Sequence, residues 1–200
     1  ERKLSEHDPV LSGGPPFRRL FLDAMVVEES ANLDRVFHAA TKHEANPIFR
    51  KEEDWEGWGP SLGGSVIPHE DKLRMYYYCI ADGEKTKVCA AESSDGFHWT
   101  RPVVGDVEFN GSTNNNIVRS STQVLKLNEP PSPDRKWVAF GFSDGHTNMK
   151  HSPDGLRWVE DESARDLFTS SDVINYFFDP YRNILAATWK CPSRRHRSVG

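Results

Sequence analysis

Apolar positions fall in short runs broken by Gly, Pro, Asn and Asp clusters, the spacing of strands and turns rather than of helices. Runs at residues 20–27, 61–68, 73–80, 87–93, 117–127, 137–143, 172–178 and 183–190 predict strands. Those at 73–80 and 87–93 are apolar on both faces in places, which suits a sheet covered on both sides. Gly63 and Gly64 in the small-residue strand predict close approach to another backbone. Residues 32–40, with Val36, Phe37, Ala39 and Ala40, fit either a short helix or a strand.

One pattern occurs twice, 59 residues apart from Trp99 to Trp158. The first copy reads Met75-Tyr-Tyr-Tyr-Cys-Ile-Ala-Asp-Gly83, then Ala91-Glu-Ser-Ser-Asp-Gly-Phe-His-Trp99. The second reads Trp137-Val-Ala-Phe-Gly-Phe-Ser-Asp-Gly145, then Lys150-His-Ser-Pro-Asp-Gly-Leu-Arg-Trp158. Matching the Asp-Gly pairs makes the second turn three residues shorter, 10 against 13 from Gly to Gly. A repeat of this length built from short strands predicts an all-β chain, a β-propeller with one four-stranded antiparallel blade per copy. Inner strands are expected near Leu20, Ser61, Ser120 and Asp172, giving three to four blades. The third copy's Asp-Gly box would fall beyond Gly200. The expected organisation is therefore an extended lead-in over residues 1–16 and a partial propeller over 17–200, cut at its C-terminal side.

Composition narrows the function classes only modestly. The chain has 200 residues, a net charge of −5, six Trp, five Tyr and eleven Phe. The charge and the lack of a Lys/Arg cluster argue against nucleic acid; Arg194, Arg195 and Arg197 read as a solvated loop. No apolar run reaches membrane-spanning length, and no signal-peptide core is visible near Glu1, so a removed leader or missing upstream sequence stays open and the compartment undetermined, secreted or periplasmic included. Cys79 and Cys89 flank one hairpin and could face each other across it, but free, buried thiols are the expectation. The histidines show no metal spacing, so neither metal nor cofactor is expected.

Recurrence separates scaffold from chemistry. Asp95-Gly96 and Asp154-Gly155 recur, as do Asp82 and Asp144, and a catalytic acid is not needed once per blade; these read as turns, with Gly at positive φ. Glu92 has His151 as its counterpart and reads as a solvated or paired strand residue. Asn114, Asn115 and Asn116 read as a turn, with amides that would also suit sugar hydroxyls. Three carboxylates have no counterpart: Asp23 inside an apolar strand, Glu56 between Trp55 and Trp58, and Asp172 opening the strand that leads to Asn175. Aromatic faces for stacking beside carboxylates for proton transfer are the chemistry of a sugar site. Asp23, Glu56 and Asp172 are the candidate catalytic acids, expected to converge near the axis and to raise one another's pKa. Trp55, Trp58 and Asn175 are the candidate substrate contacts.

The ordered set Leu20-Phe-Leu-Asp23, Asn46-Pro-Ile-Phe49, Trp55-Glu56, Met75-Tyr-Tyr-Tyr78, Ala91 to Trp99 and Asn114-Asn-Asn-Ile-Val118 resembles the five-bladed β-propeller glycoside hydrolases of the family 32-like and family 43-like groups. The resemblance runs from about Leu20 to the end of the chain. It implies five blades in the full protein, a carbohydrate substrate, and three acids from successive inner strands acting as nucleophile or base, orienting group and general acid. Asp23 matches the first-blade acid and Asp172 a later one; Glu56 is the nearest carboxylate for the second blade. The Asn-Asp-Pro-Asn-Gly and Arg-Asp-Pro signatures of family 32 enzymes are missing. Two functions follow: a glycoside hydrolase working through paired carboxylates, or a non-catalytic carbohydrate-binding propeller.

Overall fold

The computed structural model describes residues 27–80, 86–143, 146–167, 174–179, 182, 184–191 and 198–199. The chain divides into two units, Glu1–His43 and Glu44–Gly200. In the first, residues 27–43 form neither strand nor helix, so the stretch at 32–40 is neither of its two expected forms. Leu33, Val36 and Phe37 there are all exposed, and without apolar burial nothing offsets the cost of ordering a short helix or strand. Asp23 and most of its predicted strand lie outside the described residues.

The second unit is all-β, with three single-turn 3₁₀ segments and no α-helix among the described residues. Its first sheet has an inner strand in two pieces, β1 (Pro60–Ser61) and β2 (Val66–His69), both paired with β3 (Lys72–Cys79). Beyond β3 lie β4 (Lys87–Ser93) and β5 (Ile117–Val118). The second sheet runs β6 (Val124–Lys126), β7 (Trp137–Ser143), β8 (His146–Ser152) and β9 (Val159–Glu160). The third holds β10 (Ile174–Asp179), β11 (Ile184–Cys191) and β12 (Ser198–Val199). Every named pairing is antiparallel. Side chains on β3 alternate between two cores: Tyr76 joins Val124, Trp137 and Ala139 of the second sheet, while Met75, Tyr77 and Cys79 face Phe49 and Trp55. The third sheet continues the stacking, since Tyr176 of β10 lies flat on Phe140 of β7 with centroids 3.9 Å apart. The fold is thus the expected series of antiparallel blades.

Three details depart from the sequence pattern. The single strand expected at residues 117–127 is two, β5 and β6, in different sheets, because the chain crosses between blades at Ser120 and Ser121. The strand at 61–68 is interrupted where Gly64 meets its neighbours; a Cβ there would stand 2.6 Å from both the side chain and the carbonyl of Thr122. That is the close approach the glycine pair predicted. The repeats are also offset differently: Leu73 pairs with Ser93 and Trp137 with Ser152, so Trp137 corresponds to Leu73 and not to Met75. The β3–β4 connection absorbs the difference, since Cys79 is paired with Lys87 whereas Ser143 is paired with His146.

The two Ser-x-Asp-Gly-x-x-Trp boxes are the same object twice. Ser93 Oγ accepts from Gly96 N at 2.8 Å, and Ser152 Oγ from Gly155 N at 2.8 Å. Asp95 Oδ1 accepts from Phe97 N and His98 N, both at 2.8 Å, and Asp154 Oδ1 from Leu156 N at 2.8 Å and Arg157 N at 2.9 Å. Trp99 and Trp158 each donate Nε1 to the glycine carbonyl at 3.1 Å. Both glycines are left-handed, φ +79° and +76°. These carboxylates are spent on backbone donors, as scaffold should be.

The second box is also gripped by the first blade. Tyr76 Oη donates to Gly155 O at 2.8 Å, and Arg74 Nη1 donates to Asp154 O. Arg74 is itself fixed by Glu92, with Nη2 2.7 Å from Oε1. At the same seam the His69 ring stands edge-on to Trp137, centroids 5.1 Å apart, and Lys126 Nζ lies 3.3 Å from His69 Nδ1. Burial, Arg74 and Lys126 together hold His69 below the ordinary imidazole range, although Glu70 pulls the other way.

Cys79 and Cys89 form a disulfide, not the free thiols expected. Cys79 lies opposite Lys87 and Cys89 opposite Tyr77, a same-face diagonal with Cα atoms 6.4 Å apart, within disulfide reach. Register, which the sequence left open, decides this.

The seam generates two predictions. Both glycine-to-alanine changes meet positive φ, a strain of about 1–2 kcal/mol. At Gly155 the new methyl would also stand 2.7 Å from Tyr76 Oη, 2.8 Å from Arg74 Nη1 and 2.9 Å from the Trp137 ring, whereas at Gly96 its nearest neighbour is Leu73 at 3.5 Å. Urea unfolding should show Gly155→Ala losing about 1–3 kcal/mol more than Gly96→Ala; equal losses would remove the seam's special standing. For His69, folding favours the neutral ring, so its contribution is complete above the ordinary imidazole pKa of about 6.5 and is lost as pH falls through the lower folded value. The melting temperature should fall as pH drops below about 6.5, and His69→Gln should flatten that part of the profile.

Candidate functional site

Glu56 closes a 3₁₀ turn, Asp54–Glu56, in the segment that covers the second face of the first blade. Its side chain is fully buried. Oε2 accepts from Glu52 N at 2.8 Å and Glu53 N at 3.1 Å. Oε1 accepts from Tyr77 Oη at 2.7 Å and from Arg101 Nε at 2.8 Å, while Arg101 Nη2 reaches Oε2 at 3.1 Å. Burial alone would raise this carboxyl, but Arg101, the backbone donors and Tyr77 outweigh it and hold it below the usual range. The same burial and the bond to Glu56 push the Tyr77 phenol well upward. Glu56 is therefore an ionised carboxylate with its lone pairs occupied. The expected mutual pKa elevation does not operate on it, and it has no proton to donate to a leaving group.

The network spreads outward from there. Asn116 Nδ2 donates to Tyr77 Oη at 2.8 Å and to Ala90 O at 2.7 Å, and Trp55 Nε1 donates to Asn116 Oδ1 at 2.7 Å. Arg101 also donates to Glu52 Oε2 and Arg50 O, and its guanidinium lies 4.4 Å from the centre of the Phe49 ring. Asn115 is buried too, giving its amide to Val107 O at 2.7 Å. The amides of Asn115 and Asn116, which would have suited sugar hydroxyls, are used inside the blade. Arg101, Tyr77 and Asn116 were missed as a unit, because no local spacing joins residues 56, 77, 101 and 116; the lone signal was an arginine just after the first box.

The aromatic pair divides. Trp55 is half-buried against Phe109, with ring centroids 6.2 Å apart, so packing and its bond to Asn116 occupy it. Trp58 is 70% exposed. Its backbone is nonetheless fixed: Trp58 N donates to Ile80 O at 2.7 Å, between Gly57 at φ 57° and Gly59 at φ 132°. Trp58 thus presents a bare indole at the head of the inner strand. Asn175 is exposed on β10, opposite Thr188. Asp172, like Asp23, lies outside the described residues, so of the three candidate acids Glu56 alone has a described position.

No protein-family model matches the chain, and no curated protein does. Among the solved structures, three chains are similar to it, two of them as follows. One is from the GH130 family of mannoside phosphorylases, described as containing glycoside hydrolases that target β-1,2 mannosidic linkages in Candida mannan; it is 18% identical with a TM-score of 0.48, over 74% of this chain and 47% of that one. The other is a glycosyl hydrolase from Bacteroides ovatus, 15% identical with a TM-score of 0.49, over 76% of this chain and 51% of that one. The chain spans about half the length of these structures. At such distances they carry nothing about individual residues.

The Glu56–Arg101 pair can be tested directly. Removing one partner of a buried ion pair leaves the other uncompensated, typically about 3–5 kcal/mol. Glu56→Gln and Arg101→Gln should each destabilise strongly in urea unfolding, and the double variant should lose clearly less than the sum. Additive losses would mean the two charges are not coupled.

Proposed function

We propose that the chain is part of a β-propeller glycoside hydrolase. Asp23 and Asp172 are its acid pair, Trp58 its sugar-stacking platform and Asn175 a hydroxyl contact. The observation that carries this reading is Trp58, whose backbone is fixed and whose indole is left 70% exposed beside an inner strand. An exposed indole offers an apolar face, and sugar rings present the flat C–H surface that it suits. In this reading one Asp protonates the leaving oxygen while the other attacks or activates water. Glu56 acts at a distance, through the turn that fixes Trp58. The finer placement beside family 32-like and family 43-like enzymes rests on the ordered motifs alone.

A second reading, a binding propeller without turnover, draws support from Glu56, the one described candidate acid, which is locked as a carboxylate. The two readings share a platform and differ in the acids. In the full-length protein, Trp58→Ala should weaken binding across an oligosaccharide panel about 3- to 10-fold with an unchanged melting temperature, the scale of one lost stacking contact. Asp23→Asn and Asp172→Asn should each abolish hydrolysis and leave binding intact. A Trp58→Ala protein that binds like wild type would sink both readings. Hydrolysis that survives both Asp changes would remove the acid assignment, and a wild-type protein that binds but never hydrolyses would leave the second reading standing.

A further inference from the structure

Asn110-Gly111-Ser112 is the one Asn-x-Ser/Thr triplet in this sequence, and its middle residue is not proline. It occupies the tip of a tight turn. Phe109 N donates to Ser112 O at 2.9 Å and Ser112 N to Phe109 O at 3.0 Å, so only Asn110 and Gly111 lie between the paired residues. Both have positive φ, 49° and 80°, the geometry of a two-residue turn that projects its first side chain outward. Asn110, Gly111 and Ser112 are all exposed. The base of the turn is anchored, since Phe109 packs on the cluster holding Cys79 and Cys89, with Lys87 Nζ 5.1 Å from its ring centre. A large substituent on Asn110 would extend into solvent and disturb none of these contacts.

The disulfide is a second, independent observation pointing the same way. A cross-strand disulfide buried in a blade core persists where thiols are oxidised, along the secretory route and outside the cell, and that route is also where such asparagines are modified. We propose that Asn110 is an N-glycosylation site and that the chain matures in an oxidising secretory compartment. The donor class is an oligosaccharide carried on a lipid diphosphate. Asn110 Nδ2 forms a bond to the anomeric carbon and loses one proton. The anomeric C–O bond breaks, and the lipid diphosphate leaves with the electron pair. Ser112 supplies the hydroxyl that the recognition triplet requires.

The test uses the full-length protein isolated from its own cells. The tryptic peptide ending at Arg119 is compared by mass spectrometry before and after peptide N-glycosidase in ¹⁸O water, with and without prior reductant. The expected result is a peptide bearing hexose and N-acetylhexosamine, which the enzyme converts to one with a labelled aspartate at position 110. Cys79 and Cys89 should resist alkylation until reduced. A bare asparagine would overturn the proposal, as would an unlabelled aspartate, the mark of simple deamidation at an Asn-Gly step. Freely alkylated cysteines would overturn the compartment. In a eukaryotic secretion host, Ser112→Ala should abolish the gel-mobility shift and Ser112→Thr should keep it. Both variants retain the Asn110-Gly111 turn, so loss of folding cannot imitate the result.

Discussion

The grip of Arg74 and Tyr76 on the Asp154-Gly155 turn is the contact on which the rest of the structure depends. It joins two sheets that share no backbone ladder: Arg74 reaches the Asp154 carbonyl, and Tyr76 adds a second donor to the Gly155 carbonyl that Trp158 already bonds. The donors come from a strand whose next residues, Met75 and Tyr77, face the opposite core. Strand alternation therefore lets β3 serve both neighbours at once. Trp137 fills the remaining space, fully buried, with the Arg74 guanidinium 5.3 Å from its ring centre.

Two buried guanidinium–carboxylate pairs organise the first blade, and they do different work. Arg74–Glu92 fixes a strand residue so that it can reach across the seam; burial alone would raise the Glu92 carboxyl, but Arg74 and Lys72 hold it down. Arg101–Glu56 pins a loop segment onto the blade face and so fixes the backbone beside Trp58. At Glu56 the carboxylate's remaining acceptor capacity is taken up, which is the condition for a buried charge to be tolerated; Glu92, partly exposed, adds one bond from Lys72. Arginine suits both places because its rigid fork satisfies several acceptors from one position.

Much of the fold was legible because it repeats. Two copies of one box announced blades, and the box geometry agrees between copies to within a tenth of an ångström in its principal bonds. Register was harder to read. The two-residue offset between Met75 and Trp137 was hidden by matching Asp-Gly pairs, and the Cys79–Cys89 bond depends on a diagonal that only register defines. At the site, Trp58 reads as a substrate contact and its indole is exposed, whereas Glu56 reads as a catalytic acid because its partners, Tyr77 and Arg101, are distant in sequence. A carboxylate between two tryptophans has the same local pattern whether it opens to solvent or meets an arginine from another segment. Only tertiary structure distinguishes them.

The first two blades each have two unlike ends. The boxes and the inter-blade grip occupy the end where β4 and β8 finish, at Ser93 and Ser152. The connections that differ in length between copies lie at the other end, beyond Cys79 and Ser143, where Trp58 is also tied to Ile80. Insertions at that end leave the joint between the first two sheets untouched, so loop length there is free to vary while the joint keeps its chemistry. A lineage carrying this architecture can lengthen a hairpin with no compensating change in how these two blades are fastened.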